Sequence, residues 1–151
     1  MYGITEQVAR AFGYDGLMTL LPKETAIAIY KQRYWQDPRL DKVAEYSPRI
    51  AEELLDTGVN MGVSVASKFL QRALNTLNAE GKYYPDITVD GAIGQMTLAS
   101  LKAFLAHRGD NGHVVLVRML NALQGVRYIE IAEAKPSQEA FIYGWFLSRV
   151  A

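Results

Sequence analysis

Two residues in the segment Ile50–Gly62 (IAEELLDTGVNMG), Asp56 and Asn60, have the types and spacing to do chemistry. A separation of four places both on one face of a helix. A carboxylate and a carboxamide side by side can hold the hydroxyl or amide groups of a polar ligand, and a carboxyl can in principle move a proton. The segment is otherwise apolar enough to run through the middle of a small helical domain, and buried polar side chains cost free energy unless they are hydrogen-bonded. The pair therefore either ties down neighbouring backbone, helped by Gly58 and Gly62, or faces a cleft in which a ligand supplies the partners.

The elements that must position this pair read as helices. Thr5 is an N-cap for a short helix through Ala11, stopped by Gly13 and Gly16. Pro22 suits the first turn of the next helix, KETAIAIYKQRYW, in which Ala26, Ile27, Tyr30 and Tyr34 repeat at helical spacing and Asp37-Pro38 ends the run. The spacing puts Tyr30 in the core. Trp35 can pack or stack on a sugar ring, whose C–H faces suit aromatic surfaces. Ser47-Pro48 caps and opens the central segment, and Val65, Phe69, Leu70, Ala73, Leu74 and Leu77 mark a long amphipathic helix beyond it.

Helical periodicity is lost from Lys82 to Gly94, where Ile87–Val89 is the one short piece with β character before the Asp90-Gly91 turn. Helices resume after Gly94, with Gly109 and Gly112 expected as breaks, then from Val114 to Ala134 and from Gln138 to Val150. Apolar residues on two faces near Val114 predict a helix covered on both sides. Phe141, Tyr143, Trp145 and Phe146 are expected to dock the last helix onto the core. The fold class is mainly α.

With 151 residues, half of them hydrophobic, the chain has enough apolar surface for a real core. Sixteen basic and sixteen acidic residues cancel without a basic cluster, which leaves nucleic-acid binding without its electrostatic source. The absence of cysteine excludes disulfides and thiolate metal sites, and two histidines are too few for a zinc site, so neither metal nor cofactor is expected. No stretch has the length and apolarity of a signal peptide or membrane span. Phosphate-binding loops, serine-hydrolase elbows and zinc-protease motifs do not occur.

Taken in order, YGITEQVARAFGYDG, LPKETAIAIYKQRYW, IAEELLDTGVNMGVSVASKFLQRALN, YPDITVDGAIGQMTLASL and LNALQGVRYIEIAE with EAFIYGWFLSRV resemble the glycoside hydrolase family 108 proteins. These are lysozyme-like N-acetylmuramidases of phages and bacteria, often labelled secretion-activating proteins. The resemblance covers essentially the whole chain. It implies a lysozyme-like helical fold, with residues 1–64 as the remainder of a catalytic region and residues 65–151 as a predicted peptidoglycan-binding region packed with it in one unit. It further implies an endolysin-type activity on the glycan strands of bacterial peptidoglycan, at the cell wall or periplasm.

The family carries a Glu-Gly-Gly-Tyr motif upstream of the segment that matches Tyr2-Gly3-Ile4-Thr5, and no residue here corresponds to its catalytic glutamate. Tyr2-Gly3-Ile4 reads as a turn inside a domain, an expectation that residues precede Met1. Glu6 is no replacement, since it sits in a first helical turn where the helix dipole favours a carboxylate. No catalytic residue is assigned. Asp56 and Asn60, in the D-x-x-V-N-x-G segment, are expected to bind substrate, with Tyr2 and Trp35 lining the cleft. Tyr83, Tyr84, Asp86 and Asp90 are weaker candidates for peptidoglycan contacts. Apolar surface left uncovered around Ile50–Val65 would promote self-association. The alternative is a non-catalytic peptidoglycan-binding or secretion-associated protein that keeps the fold.

Overall fold

The computed structural model describes residues 4–150. Its first helix, α1 (Glu6–Phe12), begins where the Thr5 hydroxyl accepts the Val8 N–H at 3.2 Å, and ends at Gly13, whose φ of 111° closes the last turn. Glu6 lies exposed in the first turn and pairs with Arg10 at 3.6 Å, a surface role. Pro22 stands just before α2 (Lys23–Lys31), which widens into a π-type turn at Gln32–Gln36. Tyr30 stays exposed and meets Tyr34 in a tilted pair at 4.8 Å, so the core placement expected for it does not hold.

After α3 (Leu40–Tyr46), Ser47 caps α4 (Pro48–Met61) by accepting the Ile50 N–H at 3.2 Å, with Pro48 in the first turn. Helix α4 packs on α3, α5 (Val63–Thr76) and α7 (Asp110–Ala134), so its apolar stripe of Ile50, Ala51 and Leu54 is fully enclosed. Elsewhere along Ile50–Val65 the apolar side chains of Leu55, Val59, Met61, Val63 and Val65 are only half-buried. Large exposed hydrophobic side chains stand elsewhere, at Leu17, Leu20, Ile27 and along the last helix.

Eight α-helices and no strand are found among the described residues, and the chain is mainly α with a lysozyme-like helical fold. The extended piece at Ile87 forms no ladder because a side chain takes the place of a second strand. Asn75 on α5 donates its amide to the Ile87 carbonyl and accepts the Ile87 N–H, each at 2.8 Å. Tyr84 is buried and donates its hydroxyl to the Leu74 carbonyl at 2.7 Å, which makes it a structural residue.

Helices α6 (Gln95–Arg108) and α7 (Asp110–Ala134) turn at Gly109, whose φ is 63°. Gly112 breaks nothing. It lies buried inside α7, where a Cβ would come within 2.8 Å of the Arg108 Cβ and 3.3 Å of the Phe104 ring, so glycine is needed for the close approach of α6. Near its start α7 buries Leu116 and Val117 while Val115 stays exposed. The last helix, α8 (Glu139–Ser148), rests on α7 through Trp145, which stacks on Tyr128 at 4.6 Å, and Phe146, which lies over Gly125. Phe141 and Tyr143 face outward, because a helix apolar on all sides can cover only one of them.

Candidate functional site

Helices α4 and α7 meet along a polar seam. On α4, Glu53, Asp56 and Asn60 follow one another at i, i+3 and i+7, and on α7 Asn121, Gln124 and Tyr128 do the same. Each set therefore forms one stripe on its helix. Gln124 is fully buried and donates its amide to Asp56 Oδ2 at 3.0 Å, joining the stripes across 68 residues of sequence. Asn60 donates to Asp56 Oδ1 at 3.2 Å and to the Asp56 carbonyl at 2.8 Å. The Asp56–Asn60 pair thus satisfies itself in part, as one of the two readings of the sequence anticipates. Asp56 is half-buried and Asn60 is exposed, so the pair is less enclosed than the apolar segment implies.

Beside the seam is a cleft of about 390 Å³, lined by Arg49, Glu52, Glu53, Asp56, Val117, Asn121, Ser148 and Arg149. Asp56 contributes to it and Asn60 does not. Trp35 packs partly buried against the core away from this cleft, and Tyr2 lies outside the described residues. Of the distal candidates, Asp86 and Asp90 line a second cleft with Arg39. There Asp90 accepts from Gln71 and the Ala92 N–H, which hold its carboxyl below the usual range. Tyr83 stacks on His107 at 3.7 Å.

Glu53 is the residue that sequence reasoning missed. Burial pushes its carboxyl up to about 7, with the charges of Asp56 and Glu52 adding to the rise and Arg49 opposing it. Its Oε1 is shut off from solvent without a hydrogen-bond partner, as are Asn121 Oδ1 and Gln124 Oε1. Three acceptors without donors in one seam create a demand for protons or for a donor-bearing group. The available signal was the spacing of Asn121, Gln124 and Tyr128 along the apolar face of α7 that also carries Val117 and Leu120. Tyr128 is itself buried, which raises its hydroxyl pKa. The Arg149 guanidinium 3.5 Å away favours the ionised form, while the charges of Asp56 and Glu53 add to the rise.

The raised Glu53 value makes stability depend on pH. The folded state binds the proton more tightly than the unfolded chain, whose carboxyl titrates near its ordinary value of 4.5. The advantage is complete below that value and is lost as pH rises through about 7. Glu53→Gln, which stays neutral, should match the parent protein at pH 5 and exceed it at pH 8 by about 1–2 kcal/mol, a figure reduced for the partly exposed carboxyl. Urea unfolding at both pH values measures it; an equal difference at the two would reject a titrating Glu53.

No group of three or more His, Cys, Asp or Glu among the described residues is placed to hold a metal ion. Residues 1–62 match the family model described as glycosyl hydrolase 108, and residues 65–150 match the model described as a predicted peptidoglycan domain. The chain belongs to the glycosyl hydrolase 108 proteins that carry a predicted peptidoglycan domain. No curated protein matches it. In this glycosyl hydrolase 108 chain the seam joins the two matched regions, since α4 lies in the first and α7 in the second. Its function is peptidoglycan-related. No helix among the described residues is long and apolar enough to cross a membrane.

Proposed function

We propose that this chain is the glycan-recognising body of a lysozyme-like muramidase of endolysin type, acting on the glycan strands of bacterial cell wall. On this reading the proton donor for hydrolysis is not supplied by its own residues. The observation that carries the reading is the α4–α7 seam: the two matched regions meet there, and Asp56 presents a hydrogen-bonded carboxylate beside a cleft. Asp56 binds substrate in the cleft and Asn60, which lies outside it, holds the Asp56 carboxylate in place, with Trp35 and Tyr2 as contacts for parts of the glycan beyond the cleft.

Cleavage of a glycosidic bond needs an acid to protonate the leaving oxygen, usually with a second carboxylate or a positioned water on the other side of the ring. Glu53 has the raised pKa of such an acid, but the carboxylate that acts on it most, Asp56, sits one turn away on the same helical face of α4. Two carboxyls on one wall do not flank a sugar, and Glu-Gly-Gly-Tyr does not occur in the 151 residues.

The 151-residue chain is expected to sediment with insoluble peptidoglycan and to leave permeabilised cells uncleared. Its turnover should fall at least about 10²-fold below a lysozyme control, the low end of what a general acid contributes. Clearing at a rate comparable to the control would overturn the missing-donor reading. Failure to sediment would overturn recognition of the wall, including the alternative of a non-catalytic peptidoglycan-binding protein.

A further inference from the structure

We propose that the cleft between α4, α7 and α8 binds the zwitterionic end of an amino acid, its ammonium on Glu53 and Asn121 and its carboxylate on Arg49 and Arg149. This rests on the peptidoglycan reading and extends it from the sugars to the stem peptide attached to them: the cleft also takes the free end of a diamino acid.

The unmet groups on the floor are all acceptors. Asn121 is 6% exposed, and its amide nitrogen is already used on the Val117 carbonyl at 3.2 Å, which leaves Oδ1 without a donor. Glu53 Oε1 is in the same condition in the same cleft. Both atoms are screened from bulk water, and a turn about the broad terminal torsion of either side chain presents it to an entering group. A ligand that offers only acceptors, such as a phosphate or an isolated carboxylate, gains nothing there. A primary ammonium brings three donors and a positive charge.

The rim is of the opposite kind. Arg49 and Arg149 line the cleft, and neither has a carboxylate within 4.0 Å among the described residues, although Arg149 touches the Tyr128 hydroxyl at 3.5 Å. Guanidinium groups of this kind suit a carboxylate. An ammonium and a carboxylate on one carbon, as at the free end of meso-diaminopimelate, meet both demands at once. Free amino acids share this head group.

Binding should depend on pH through Glu53. The charged or titratable groups that face it are Arg49, Glu52 and Asp56 on α4, Tyr128 on α7 and Arg149 after α8, and the Asp56 charge also reaches Tyr30 on α2. Among these the Glu53 carboxyl titrates near neutrality, at about 7, and an arriving ammonium favours its ionised form. Affinity should therefore rise between pH 6 and pH 8.

The test is titration calorimetry of the full chain with L-Ala-γ-D-Glu-meso-diaminopimelate, with the same tripeptide ending in L-lysine, and with free meso-diaminopimelate. The diaminopimelate tripeptide should bind about tenfold or more tightly than the lysine one, which lacks the second carboxylate. Glu53→Gln and Asn121→Leu should each lose about tenfold or more. Urea midpoints of the two variants, measured beside the parent, separate a loss of the site from a loss due only to misfolding. Equal affinity for the two tripeptides would overturn the zwitterion assignment. No binding of any probe by a chain that still sediments with peptidoglycan would overturn this site and leave the wider function standing. Free diaminopimelate carries the same head group and should bind about as well as the tripeptide, and its failure to bind a chain that takes the tripeptide would overturn the head-group assignment.

Discussion

Gln71→Leu should destabilise the protein by about 3–4 kcal/mol, seen as a lower urea midpoint at unchanged slope. Gln71 is 1% exposed on α5 and its amide holds the entire turn that leads into α6. Nε2 donates to Asp90 Oδ1 at 2.9 Å, to the Ala92 carbonyl at 3.0 Å and to Thr97 Oγ1 at 3.2 Å, two protons shared among three acceptors. Oε1 accepts the Gly91 N–H at 2.9 Å. Leucine fills the volume and satisfies none of them, so the cost is that of stranded partners, with little contribution from a cavity. Asp90 also loses a donor that favours its ionised form, and its carboxyl should titrate higher in the variant. A loss below about 1 kcal/mol would mean that water replaces the amide at no cost, against the burial seen here.

The second large effect is expected at Leu54. It is buried in α4 where that helix is surrounded by α3, α5 and α7, so removing three carbons leaves a hole that no single neighbour can fill. Leu54→Ala should cost about 3–5 kcal/mol, within the range for enclosed leucines. For a chain of this size that lowers the melting temperature by roughly 6–20 °C. The unfolding should remain one transition, because one cluster of buried side chains runs from Leu40 on α3 through Leu120 on α7. Two resolved transitions, with only the first shifted, would show that residues 1–64 and 65–151 fold as separate units.

What the sequence conveyed well was whatever is decided within a few residues. Thr5 and Ser47 cap their helices as read, because a hydroxyl reaching a backbone N–H three residues on is a local event. The amphipathic helix of Phe69, Leu70 and Leu74 was legible for the same reason, and the family resemblance extended this to the whole helical fold. Gly112 misled because its sequence looks like a breaker, and only the approach of Phe104 from α6 shows why glycine is there. Tyr30 misled in the opposite way: helical spacing marks a face but does not say that another element covers it.

The candidate site was half legible. Asp56 and Asn60 could be placed on one face from their spacing alone, and their hydrogen bond follows from it. Glu53 could not be singled out, since nothing near it in sequence distinguishes it from Glu52. Its environment comes from α7, through Asn121 and Gln124, and a crossing of two helices so distant in sequence leaves only a faint trace in either one. Tyr83 and Tyr84 are adjacent in the chain yet differ in fate, one stacked on His107 and one tied to the Leu74 carbonyl.

The clamp of Asn75 on Ile87 also bears on behaviour in concentrated solution. An extended stretch with its N–H and C=O free is a template on which a second molecule can lay down a strand, and that is a common start of fibrillar assembly. Here both groups at Ile87 are occupied by one amide from within the same molecule. As long as α5 stays folded, the most β-prone piece of this protein has no open edge at that residue for another copy to zip onto.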